Sequence, residues 1–86
     1  MPTSRFSPEL FEEVKILGLF NLTTTQEGIK VHSNAAPEAI AAARRLHDKG
    51  LITQDDGGYL TSLGHEAAQH AQDLLTILVT EKQLAS

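Results

Sequence analysis

The sequence predicts a mainly helical domain, α with a small β-hairpin and a long C-terminal helix, and three features of the stretch Leu46 to Ala71 carry that expectation. Gly50 follows a run of helix formers ending in Lys49, where glycine takes the left-handed conformation that stops a helix. Leu51, Ile52 and Thr53, and then Tyr59, Leu60 and Thr61, favour strand, with Asp55-Asp56-Gly57-Gly58 supplying turn residues between them. Thr61 or Ser62 is placed to cap a fresh helix, with Glu66 in its first turns to complement the dipole.

The earlier elements follow from similar signals. Residues 1–6 read as a flexible N-terminus. Ser7-Pro8-Glu9 reads as N-cap, first helical position and first-turn acid of a helix over 8–20. Leu10, Val14 and Leu17, with Phe11 and Phe20 beside them, form its expected buried stripe. Thr24 and Glu27 have capping-box spacing for a short second helix over 24–31, in which Gly28 is a weak point. His32-Ser33-Asn34 reads as a turn. A third helix over 35–49 takes Pro37 in its first turn and offers Ala36, Ile40, Ala43 and Leu46 as its buried stripe. The hairpin is expected to pair 51–53 with 59–61, and the last helix to run over 62–82. All of this makes one domain over 1–86, with no repeat or linker.

Composition bounds the function classes. An 86-residue chain buries a small core, so association would help it. No apolar run is long enough for a bilayer and no signal peptide is apparent, so a cytoplasmic protein without membrane contact is expected. There is no cysteine, which excludes disulfides and thiolate ligands or nucleophiles. Seven Lys and Arg against eleven Asp and Glu give a net charge of −4, which opposes DNA as a partner. Lys30, Arg44, Arg45 and Lys49 nevertheless outweigh Glu38 and Asp48 in the middle third.

The last helix is apolar on more than one side. Leu63, Ala67, Ala71, Leu74 and Leu78 would cover one face, while Leu75, Ile77 and Val79 add surface that one stripe does not use. A symmetric homodimer through Leu74, Leu75, Ile77, Leu78 and Val79 is the expected outcome, against a helix tucked wholly into its own core.

The segment KGLITQDDGGYLTSLGHEAA closely resembles the end of the winged helix-turn-helix domain in bacterial regulators of the MarR and PadR type. With SPEL and TTTQEGIKVH, the whole chain also resembles a family of short bacterial proteins described as uncharacterised or DNA-binding. The resemblance implies that residues 35–49 lie in the major groove and that Asp55 to Gly58 form the wing tip. On that footing Lys30, Arg44, Arg45 and Lys49 would contact phosphate and Asn34 a base or the backbone, in a dimeric accessory transcriptional regulator. The residues themselves depart from this pattern, because the start of the reading helix is mostly alanine with Glu38, and the wing carries Asp55 and Asp56. The alternative is a winged-helix module that binds another protein and not DNA. A continuous positive face would favour DNA, and a broken one a protein partner.

Catalytic chemistry has no foothold. In His65-Glu66-Ala67-Ala68-Gln69-His70 the two histidines are five apart, about 140° around a helix, so they do not share one metal as a zinc-protease pair does. No enzyme activity, metal or cofactor is expected.

Overall fold

A computed structural model describes residues 7–24 and 27–79. Three helices, α1 (Pro8–Leu17), α2 (Pro37–Asp48) and α3 (Ser62–Val79), surround a three-stranded antiparallel sheet of β1 (Ile29–Lys30), β2 (Ile52–Gln54) and β3 (Gly57–Leu60). The sheet order is β1-β3-β2. The chain is thus mainly α with a small hairpin and a long last helix, as its sequence predicts. The terminus at 1–6 and the expected last turn at 80–82 lie outside the described residues.

Each boundary has a chemical cause. Ser7 Oγ accepts the Leu10 amide at 3.1 Å, and Pro8 opens α1. The helix stops at Leu17, short of 20, and the Asn21 carboxamide oxygen accepts the Thr23 amide at 2.9 Å and its hydroxyl at 2.6 Å in a local turn. At the end of α2 the Leu51 amide reaches back to the Leu46 carbonyl at 2.9 Å and the Gly50 amide to His47, with Gly50 at φ 80°. That is a Schellman closure, which glycine adopts without the clash of a Cβ.

The expected helix over 24–31 is not formed. Glu27 and Gly28 are irregular and Ile29–Lys30 is a strand, paired with Gly58 and Gly57 of β3. The cause lies across the sheet: a Cβ on Gly57 would run into the Ile29 carbonyl, so its absence lets β1 approach closely and satisfy its backbone there. The hairpin has the expected register, with Ile52 opposite Leu60, but its strands reach further towards the tip, where Gln54 lies opposite Gly57 after a bulge.

Thr61 joins the hairpin to α3. Its hydroxyl donates to the Gly50 carbonyl at 2.6 Å and accepts the Gly64 amide at 3.0 Å, while its own amide donates to the Leu51 carbonyl at 3.0 Å. Gln72 joins α3 to the end of α1, donating from Nε2 to the carbonyls of Leu17 and Phe20 at 3.1 and 2.7 Å.

The core is Ile16 and Leu17 from α1, Phe20 just after it, Ala42, Ala43 and Leu46 from α2, Ile52 from β2 and Ala68 from α3. Leu17, Phe20, Ala43 and Leu46 are buried as the apolar spacing suggests, but each stripe departs from it elsewhere. In α1, Leu10 and Phe11 are exposed, and the inward set is Glu13, Ile16 and Leu17, continued by Phe20 beyond the helix end. In α2, Ala36 is exposed and Ile40 half-buried. In α3 the inward residues are Gly64 and Ala68, with Ala67, Ala71 and Leu75 half-buried, whereas Leu63, Leu74 and Leu78 face outwards. Small residues let helices approach closely, so the packed stripe of α3 is its small one and the large aliphatics are left outside.

Candidate functional site

Two surfaces have the residues to bind something: the groove between α2 and the hairpin tip, and the outer face of α3.

The groove encloses about 430 Å³ and has a floor of Val31, Ile40 and Ala43. Lys30, His32 and Arg44 line it together with Asp55 and Asp56. The acids follow from the hairpin, whose turn residues sit at Asp55-Asp56, and Asp56 is fixed because its carbonyl accepts the Val31 amide at 2.7 Å. Lys30 Nζ stands 3.3 Å from Asp56 Oδ2, in an exposed pair that neutralises the groove's lysine. Asn34 is exposed in the turn before α2, and Arg44 is exposed on α2 without an ion-pair partner among the described residues.

Arg45 and Lys49 do not line this groove. Arg45 Nε donates to Glu13 Oε2 at 2.7 Å and its Nη2 to the Glu9 carbonyl at 3.0 Å. Lys49 Nζ donates to Glu13 Oε1 at 2.5 Å. Both cations therefore serve the α1–α2 contact, a use that the resemblance to DNA-binding domains does not suggest. Burial of Glu13 would raise its carboxyl, but the hydrogen bonds from Lys49 and Arg45, with their charges, outweigh that and hold it below the ordinary 4.5. The signal for Glu13 was present in the sequence: it stands first in an i, i+3, i+4, i+7 series with Ile16, Leu17 and Phe20, so a carboxylate on that stripe needs cations from a neighbouring element.

On α3, Leu63, Leu74, Ile77, Leu78 and Val79 are between 50% and 73% exposed. Leu75 belongs to the chain's own packing: it is half-buried, and its Cδ1 lies 3.3 Å from where a Cβ on Gly18 would stand. His65 lines a different cleft beside Phe20 and Glu27, whereas His70 is exposed. Among the described residues no three His, Asp or Glu side chains gather as metal ligands, and no helix is long and apolar enough to cross a membrane.

No curated protein and no solved structure matches the chain. A family model does, over residues 4–79, and on that extent the chain belongs to a family of unknown function, DUF5669.

Proposed function

We propose that this protein is a non-catalytic winged-helix module that acts by binding protein, in the first place a second copy of itself through α3. The observation that carries this reading is the fate of the middle-third cations. Lys30 is paired with Asp56, and Arg45 and Lys49 share Glu13. That leaves Arg44, opposite Asp55 and Asp56 across the groove and between Glu38 and Asp48 on its own helix. A positive face so interrupted attracts a polyanion weakly. The apolar outer face of α3 is the larger unmet demand, since contiguous exposed apolar surface is what partners cover.

A second reading, a dimeric accessory transcriptional regulator that binds DNA, is favoured by one observation. The helix directly before the hairpin carries Arg44 exposed, the turn before that helix carries Asn34 exposed, and the Lys30 side chain is 64% exposed despite its pair. Retardation of DNA separates the readings, and light scattering tests the dimer that both assume. Light scattering after gel filtration should give twice the chain mass, and pooled genomic fragments should not be retarded at about 50 mM salt, where electrostatic binding is strong. Retardation at that salt, lost steeply as salt rises, would favour the DNA reading.

A further inference from the structure

The groove between α2 and the hairpin tip has walls that the chain's own backbone holds. The Val31 amide donates to the Asp56 carbonyl at 2.7 Å, and Lys30 Nζ stands 3.3 Å from Asp56 Oδ2, so the end of β1 is fastened to the tip. The Ala35 amide donates to the His32 carbonyl at 2.9 Å, which closes the turn carrying His32 and Ser33. The enclosed space of about 430 Å³ is of the size that small ligands occupy. No residue of α3 lines it, so this surface is separate from the one proposed above for self-association.

Four formal charges line the groove, two of each sign. Lys30 and Asp56 satisfy each other. Arg44, on α2, and Asp55, across from it at the tip, do not: among the described residues neither has an ion pair, with the other or with any third group. Between them lies the apolar floor, where Val31 and Ile40 are only half-buried. We propose that this groove binds a short apolar peptide by both of its ends, the carboxylate on Arg44 and the ammonium on Asp55, with aliphatic side chains on Val31, Ile40 and Ala43.

Charge complementarity selects this class. A polyanion meets Asp55 and Asp56, and a polycation meets Lys30 and Arg44. A wholly apolar ligand would take water from Arg44 and Asp55 and return nothing, and a ligand of one charge would leave the other residue unpaired. A zwitterion answers both, and the Arg44 guanidinium is shaped to grip a carboxylate with two parallel hydrogen bonds. Because Arg44 and Asp55 stand too far apart to pair, the ligand's charges must also be separated. A free amino acid carries both on one carbon, whereas a dipeptide holds them up to roughly 7 Å apart. His32 and Ser33, on the β1 side, offer polar atoms to the peptide bond between.

Nuclear magnetic resonance titration of the full chain with leucyl-leucine, and with its N-acetyl and C-terminal amide forms, tests this. The free dipeptide should bind with a Kd of roughly 1 mM or tighter and shift the amides of Val31, Ile40 and Ala43. Blocking either end should weaken it at least tenfold. Arg44→Ala should weaken the free dipeptide at least tenfold and leave the affinity for the C-terminal amide within twofold, since that form has no carboxylate to lose. Asp55→Ala should do the same for the free and N-acetyl forms. No shifts at about 10 mM leucyl-leucine, blocked forms that bind as tightly as the free one, or binding unchanged in both variants would overturn the site. Each of these outcomes leaves self-association through α3 standing.

Discussion

Arg45 Nε meets Glu13 Oε2 at 2.7 Å, a contact between residues thirty-two positions apart that ties the last turns of α2 to the middle of α1. Lys49 takes the other carboxylate oxygen, so one buried acid holds two partly exposed cations. The arrangement stabilises the helix pair at the expense of surface potential, because the cations nearest the end of α2 no longer act outwards with full charge. Glu13 thus sets both the α1–α2 contact and the charge that this end of α2 shows to solvent.

Glu13→Gln should therefore destabilise the protein at neutral pH. It leaves Arg45 and Lys49 without a charged acceptor but with access to water, so a loss of about 1–3 kcal/mol is expected from urea unfolding. The pH dependence follows from the lowered carboxyl. A group whose pKa is depressed by folding contributes stability above its unfolded value of about 4.5 and loses it as pH falls through the folded value. Wild-type stability should decline below that point, and the Glu13→Gln profile should be flatter over the same range. Parallel profiles would show that Glu13 does not drive the decline.

Punctuation was what the sequence displayed most plainly. Ser7, Gly50 and Thr61 act through local hydrogen bonds and local backbone geometry, and each does what its position suggests. The rotation of each helix was less legible, because apolar spacing marks several stripes and close packing chooses among them by size. Leu63 and Leu74 fit a stripe as well as Gly64 and Ala68 do, yet a Cβ on Gly64 would run into the Leu51 carbonyl, and that tertiary fact orients α3. The strand at Ile29–Lys30 was hidden for a similar reason, since its partner is a pair of glycines on a distant segment. For the candidate sites, residue types placed Arg44 and Asn34 on the surface, but which cations face Glu13 depends on how α1 and α2 pack.

Gly64→Ala tests that orientation. In an isolated helix alanine is favoured over glycine by about 1 kcal/mol. Here the added methyl meets the backbone of the Gly50–Leu51 turn and has no flexible side chain to displace. A net destabilisation of roughly 1–3 kcal/mol is expected by denaturant unfolding, against the intrinsic preference. A stabilised Gly64→Ala protein would mean that the start of α3 does not press on that turn.

Thr61→Val separates hydrogen bonding from shape at the same junction. The valine keeps the branched side chain but can neither donate to the Gly50 carbonyl nor accept the Gly64 amide. A cost of about 1–2 kcal/mol is expected, with Thr61→Ser retaining most of the stability because its hydroxyl makes both bonds. Equal effects of the two substitutions would assign the contribution of Thr61 to packing instead.

Reversing the charge of the hairpin tip examines the groove. Asp55→Lys with Asp56→Lys removes the acid that neutralises Lys30 and faces Arg44, and it adds two ammonium groups on the same side. The wild-type protein should leave genomic fragments unretarded at about 50 mM salt, whereas the double variant should retard them all alike, since phosphate contacts carry no sequence information. Each phosphate neutralised contributes a slope of roughly −0.9 in log K against log salt, so binding through three or four cations should have largely vanished by about 200 mM. Arg44→Ala in that background should lower the slope by about one. If the double variant leaves DNA unretarded, the groove does not admit a duplex, and the second reading loses the surface on which it depends.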